Sequence, residues 1–347
     1  MVTRIGLDLG YANITLSDVT AEIYREPSVA LIQKEARSNT GRIIAVGNAA
    51  MLIDADKGSD GMLVRPFKNG ILFDDRITGE IIENAIKAVK PCDKIRCVIG
   101  VPSDFLPKQE KELFAMLSEA GVDTSVSVVR SVAALVGAGY SPSMSVISVN
   151  VGAQSTEIAV LHKGKILQTS RAVIGGEDFD RAVKKYVLQQ GDVNISLSVA
   201  RAIKEKLGAV WKGRPNGSID IEGTLALTGN KLRMNVTTED IVGVFEKPLQ
   251  SLILEIVNVI KGIPKEAVED IFKNGIVLSG GGAELFGIET LLEKVLGISV
   301  TKPDGAIDCV AKGLSRINSI IPPKMRVANK NITGDIASIY ENGKNKT

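Results

Sequence analysis

Apolar and polar positions along the chain fall into two alternating series of strands and helices. "RIGLDL" (4–9) and "ANITLSD" (12–18) carry the short-period pattern of paired strands, and Gly10 between them predicts a hairpin turn. "PSVALIQ" (27–33) and "RIIAVGNAA" (42–50) are expected to continue as strands, with a polar loop, "DADKGSDG", at 54–61. "RITGEIIENAIKAVK" (76–90) has helical spacing, with Ile81, Ile82, Ala85 and Val89 on one side. "KIRCVIGVP" reads as a strand apolar on both faces. "SDFLPKQEKELFAMLSEAGV" predicts a helix capped by Ser103-Asp104, with Leu113, Phe114, Leu117 and Ala120 inward and Gly121 as its stop. "VSVVR" (126–130) is a strand and "SVAALVGAG" (131–139) a helix.

At residue 145 the pattern starts again. "SVISVNVGAQSTEIAVLHKGKILQTSRAV" predicts a three-stranded meander, and "GGEDFDRAVKKYVLQQ" a helix whose first-turn acids suit the helix dipole. "LSVARAIKEKLGAV" is a second helix, and "SIDIEG", "TLALTG" and "KLRMNV" read as three short strands. A long helix is expected over 237–263, capped by Thr238. "GIVLSGGGAELFGIETLLEKVLG" reads as strand, glycine turn and helix, and "DCVAKGLSRINSI" as a closing helix. Two similar α/β halves follow from this repetition. The segment after residue 322 is polar and is expected to extend as a mobile tail or to dock onto a neighbour.

The remaining composition narrows the chemistry. A net charge of +2 gives no electrostatic reason to expect a nucleic-acid partner. Cys92, Cys97 and Cys309 form no CxxC pair, and His162 is the only histidine, expected exposed on a hairpin. Zinc, a disulfide framework and histidine acid–base chemistry are therefore not expected. No leader segment and no apolar run long enough for a membrane span is read, so a cytoplasmic protein is expected. The loop "VKPCDKIRC" has no paired bulky apolar residues, which argues against direct membrane insertion.

Three glycine turns stand out: Gly10, Gly152 and Gly280-Gly281-Gly282. Tight glycine turns turn backbone N–H groups toward phosphate oxygens. With them the chain resembles the bacterial actin family, near its MreB and MamK branches, over about residues 3–320. "IGLDLGYANITL" and "ISVNVGAQSTEIAV" resemble its two phosphate motifs, "VRPFKNGIL" and "CVIGVPSD" its first-lobe segments, "IGGEDFDRAV" and "RAIKEKLG" its second-lobe helices, and "IVLSGGGAELFGIETLLEKVLGISV" its adenosine motif.

The resemblance implies an α/β, actin-like fold, a duplicated RNase H-like arrangement of two lobes. The first lobe is expected at 1–144 with a small subdomain about 33–74, the second at 145–322 with a small subdomain about 179–254, and a polar tail at 323–347. It implies ATP or ADP with Mg²⁺ bound between the lobes and self-association into filaments. The nucleotide-side residues carried over are Asp8, also the metal-side acid, with Gly10, Tyr11, Ala12 and Asn13. From the second half come Gly152, Ala153, Gln154, Ser155, Gly176, Glu177, Lys204, Glu205, Gly280, Gly281, Gly282 and Ala283. Departures concentrate at the same place. Asn150 falls where the family has an aspartate, Gln154 where it has a glycine, and Tyr11 where it has Ser or Thr at the γ-phosphate. Arg130 falls at the water-positioning glutamate. An arginine cannot accept a proton at neutral pH, so very slow or absent hydrolysis and a weakened Mg²⁺ site are expected. Arg130 could hold nucleotide, replace the metal's charge, or pair with Asp8. The alternative is an actin-fold adaptor that does not polymerise alone but co-assembles with a paralogue or an organelle complex. The residues of a sugar kinase, a catalytic carboxylate and a sugar-binding insertion, are not found.

Overall fold

The computed structural model describes residues 2–33, 41–55, 61–68, 71–90, 92, 94–322 and 329–344. They divide into two compact units, one built from 1–144, 163–166 and 308–347, the other from 145–162 and 167–307.

The first unit opens with β1 (Val2–Leu9), β2 (Asn13–Ser17) and β3 (Glu22–Pro27), an antiparallel meander. A small three-stranded sheet follows from β4 (Ala30–Gln33), β5 (Arg42–Val46) and β6 (Gly61–Val64), with α1 (Gly47–Ala55) against it. Residues 47–50, expected as strand, begin α1 because Gly47 takes φ +63°, which ends the extended run. Of the expected polar loop at 54–61, residues 56–60 lie outside the described residues. A two-stranded ribbon, β7 (Phe67–Lys68) with β8 (Ile71–Leu72), leads to α2 (Asp75–Ile86), N-capped by the Asp74 side chain accepting from the Ile77 amide. α2 stops at Ile86, short of the expected residue 90, where the bonds of Ala88 and Val89 tighten to a turn.

β9 (Lys94–Val101) runs parallel to β1, and β10 (Thr124–Val129) parallel to β9. Between them α3 (Pro107–Glu119) buries Leu113, Phe114 and Leu117. Its cap is Leu106 rather than Ser103-Asp104, because proline suits the first helical position and holds the residue before it extended. α4 (Arg130–Gly137) follows β10 without an intervening loop.

In the second unit, β11 (Val146–Val151), β12 (Thr156–His162) and β13 (Lys165–Ala172) form the expected meander. α5 (Gly176–Gly191), β14 (Val193–Asn194) and α6 (Leu197–Leu207) lead into the hairpin of β15 (Ser218–Leu225) and β16 (Lys231–Thr237). "SIDIEG" and the start of "TLALTG" are thus one strand. Gly223 keeps it running past β14, where a β-carbon would lie 2.4 Å from Val193 Cγ1. The expected long helix is two, α7 (Thr238–Ile241) and α8 (Glu246–Lys261), separated at Gly243 with φ +80°. Thr237, not Thr238, caps α7, in a reciprocal box with Asp240. α9 (Lys265–Asn274), β17 (Ile276–Ser279), α10 (Ile288–Leu296) and β18 (Val300–Thr301) complete the unit, with β11, β17 and β18 parallel. Its sheet order, β13-β12-β11-β17-β18, repeats the β3-β2-β1-β9-β10 order of the first unit.

The chain then returns to the first unit with α11 (Cys309–Ile320), β19 (Lys330–Asn331) and α12 (Ile336–Lys344). α11 lies against α4 and β1 at backbone distance. A β-carbon at Gly137 would sit 1.8 Å from Cys309 O, one at Gly313 1.8 Å from Ala133 O, and one at Gly6 2.4 Å from Ser315 N. Arg316 Nη1 donates to the Val136 and Gly137 carbonyls at 3.0 and 2.9 Å, placing a cation at the C-terminus of α4. Buried Asn318 donates to Ile5 O and Arg96 O, both at 2.8 Å, tying α11 to two adjacent strands.

Residues 329–344, expected as a mobile tail or as docking onto a neighbour, pack onto their own unit. β19 pairs parallel with the β10 edge, and Ile332, Ile336 and Ile339 are buried. Alternation of these isoleucines with polar residues hid an apolar face. Thr333 Oγ1 accepts the Val129 amide at 2.9 Å, immediately before Arg130.

Two substitutions check this packing. Gly313→Ala should destabilise the first unit by about 1–3 kcal/mol through overpacking against α4, read in urea denaturation. Ile332→Ala should cost about 2–4 kcal/mol, and an unchanged transition would show that the C-terminal segment is not held.

Candidate functional site

In the first unit the candidate residues converge on the β1–β2 turn and the start of α4. The Gly10 amide donates to Asn13 O at 3.0 Å, closing the turn, and a β-carbon at Gly10 would come 2.8 Å from that oxygen. Arg65, which sequence reasoning assigned no role, donates through Nη1 to the carbonyls of Tyr11, Ala12 and Ser28 at 2.9, 3.1 and 3.2 Å. Its guanidinium lies 5.0 Å from the Tyr11 ring centre. Ser28 Oγ donates to Gly10 O at 2.7 Å. Because a trans peptide points its C=O and N–H oppositely, the amides of the two turn peptides that Arg65 holds, those carrying the Tyr11 and Ala12 carbonyls, face away from that guanidinium. Tyr11 packs its ring against the apolar core of the unit beneath Arg65.

Asp8 stands at the end of β1, in register with Gly100 on β9. Arg130 Nε lies 3.5 Å from Asp8 Oδ1, and Arg130 Nη2 donates to Leu9 O at 2.7 Å. The arginine stem passes over Gly100, where a β-carbon would approach its Cγ to 3.2 Å. Of the openings left for Arg130, the structure adopts the ion pair with Asp8. Burial pushes the Asp8 carboxyl above the ordinary carboxylate range, with Arg130 and then Arg25 pulling the other way.

In the second unit, Gly152 closes a matching turn by donating to Ser155 O at 2.9 Å. The first amides of α5 dock onto that turn: Gly176 donates to Gly152 O at 2.9 Å and Glu177 to Ala153 O at 2.7 Å. Gly175 permits the approach, since a β-carbon there would lie 2.7 Å from Ala153 C and O. Gln154 does not fill the turn. It reaches α5, donating to Glu177 Oε2 at 2.9 Å, while Arg181 donates to Glu177 Oε1 at 2.7 Å. Lys204 bonds Gly176 O at 3.0 Å and pairs with buried Asp180 at 2.6 Å; Arg201 holds the other oxygen of Asp180 at 3.2 Å. Glu205, its neighbour in sequence, is exposed.

Asn150 is buried on β11, in register with Ser279 on β17, and its Oδ1 accepts from Ser279 Oγ at 3.3 Å. The triple glycine separates by cause. Gly280 has φ +86° and faces Asn150 Oδ1 and Val151 O at 2.8 and 2.4 Å from a β-carbon; Gly282 abuts Val151 Cγ1 at 2.2 Å. Gly281 is exposed, and a β-carbon there would meet nothing closer than Ile307 Cδ1 at 3.8 Å. The chain's own packing therefore demands glycine at 280 and 282 but not at 281. Ala283 is buried, its amide bonded to Gly280 O.

Among the described residues no three His, Cys, Asp or Glu side chains cluster, and Asp8 already faces a fixed guanidinium. His162, expected exposed, is half-buried, with Nδ1 3.0 Å from Ser145 Oγ. Besides Arg65, sequence reasoning missed Ser28, Gly175, Asp180 and Ser279. None has a motif spacing that announces it; each is brought in by a neighbouring element. Among the described residues no helix is long and apolar enough to cross a membrane.

A family profile described as "MreB/Mbl protein" matches residues 2–323. The cell shape-determining protein Mbl of Bacillus cereus is 29% identical over 317 residues, covering 89% of this chain and 93% of that protein. The cell shape-determining protein MreB of Escherichia coli is 27% identical over 319 residues, covering 89% and 91%. Among solved structures, MreB5 of Spiroplasma citri bound to AMPPNP superposes with a TM-score of 0.82 at 22% identity, covering 89% of this chain and 94% of that one. A MamK double helical filament gives 0.76 at 22% identity, covering 92% and 100%. The fold is α/β and actin-like, and with the profile spanning nearly all of its length the chain belongs to the MreB/Mbl family.

Proposed function

We propose that this chain is a cytoplasmic, filament-forming cytoskeletal protein that binds ATP or ADP and hydrolyses it very slowly or not at all. One observation carries the reading: Arg130, at the first position of α4, is ion-paired with Asp8. A guanidinium stays protonated at neutral pH and cannot accept a proton from water. Asn150, where a second acid would help, offers a neutral amide already engaged by Ser279.

Nucleotide binding is supported by the residues that remain suited to it. The turns at Gly10–Asn13 and Gly152–Ser155 suit phosphate oxygens, through backbone N–H groups that need no charge. Gly281, with Gly282 and Ala283, suits the adenosine side, and Gly176, Glu177, Lys204 and Glu205 belong to the same set. AMPPNP and ADP complexes of MreB5, and the filament of MamK, support nucleotide binding and self-association in proteins of this fold. The names of the curated relatives support a role in cell shape; placement of an organelle is the other cellular output compatible with the fold. The ion pair also favours a second reading, an inactive subunit that assembles only beside an intact paralogue.

Phosphate release from the purified protein with ATP should stay at background. Arg130→Glu with Asn150→Asp should raise it by about tenfold or more, within the range that one positioned acid–base group supplies; robust turnover by the unmodified chain would remove this account. In electron micrographs, polymers should form both with and without ATP. Polymers that appear only on adding a paralogous actin-like protein would select the second reading.

A further inference from the structure

Building on the nucleotide-binding reading, we infer that Arg130 is a resident cation which takes the place of a divalent metal at Asp8, so that adenine nucleotide binds this chain without Mg²⁺. The pair is enclosed, with the Arg130 and Asp8 side chains 12% and 21% exposed. Arg130 is fixed at two points, by Asp8 at 3.5 Å and by Leu9 O at 2.7 Å, and its stem lies over Gly100, which makes room for it. The main chain supports this placement. Thr333 Oγ1 holds the Val129 amide, and Arg316 holds the opposite end of α4.

At Asp8 itself the place a cation would take is held by Arg130. One carboxylate faces one guanidinium, and Arg25, held by Glu22 and Asp308, adds a second positive influence on Asp8. A divalent ion entering here would compete for the Asp8 carboxylate with an arginine that cannot shed its proton. Neutralising phosphate charge is the electrostatic service a bound metal ion renders. A guanidinium renders it without being lost to a chelator, and as a fork of donors matched to phosphate oxygens.

The test uses the full chain and a fluorescent ADP analogue, titrated in Mg²⁺ and in EDTA. Affinity in the two conditions should agree within about twofold. Arg130→Gln should weaken binding in EDTA by about tenfold or more, with Mg²⁺ restoring part of it, whereas Arg130→Lys, which keeps the charge, should remain independent of Mg²⁺. A loss of about tenfold for the unmodified chain in EDTA would overturn the inference and leave nucleotide binding standing. A second arm needs no nucleotide: Mn²⁺ binding followed by water-proton relaxation. The unmodified chain should show no Mn²⁺ site that Asp8→Asn removes, and finding one would overturn the inference. Failure to bind the analogue in either buffer would instead overturn the nucleotide reading and, with it, the metal-free binding inferred here.

Discussion

The approach of α11 to α4 and β1 is the constraint from which the first unit's geometry follows. Three glycines, at 6, 137 and 313, remove the β-carbons that would otherwise meet backbone at 1.8–2.4 Å. With helices and strand in backbone contact, side-chain bonds can finish what packing begins: Asn318 spans β1 and β9, and Arg316 closes α4. The start of α4 is thereby set beside the end of β1. That adjacency, not the local sequence around either residue, is why position 130 and position 8 form one site.

An ion pair at this place is an electrostatic compromise. At 3.5 Å and an effective dielectric of roughly 20, the gross attraction is about 5 kcal/mol, yet desolvation outweighs it for the carboxylate, whose pKa stays raised. The sign follows from linkage. Above the ordinary value of 3.8 the folded chain retains this proton longer than the unfolded chain, so Asp8 contributes less to stability as pH rises through its raised pKa. Replacing Asp8 alone with an apolar residue would leave the enclosed Arg130 guanidinium without its carboxylate, so the pair gains or loses stability as a unit.

Much of the architecture was legible because the pattern repeats. Strand–glycine turn–strand occurs twice, and both occurrences form the central hairpins of their sheets. Where local signals competed, tertiary geometry decided. Pro107 displaced the polar pair Ser103-Asp104 as the start of α3, and glycines at 47 and 243 changed or broke elements whose side chains alone suggested continuity. The candidate site was readable at its turns, since Gly10 and Gly152 sit in tight contact with the chain's own carbonyls. Its supporting shell was not. Arg65 lies more than fifty residues from the turn it braces, Ser279 pairs with Asn150 across parallel strands, and Asp180 is defined by its cations on another helix. Such contacts depend on which elements become neighbours, and no spacing along the chain encodes that.

The short β19 strand has a consequence for assembly. A parallel strand at the border of a sheet satisfies main-chain groups that would otherwise invite a foreign strand. Here the chain supplies that strand itself, from residues beyond the span matched by the family profile. At Val126 and Ser127 the β10 border is therefore already occupied by the chain's own strand, and another chain could pair there only by displacing it.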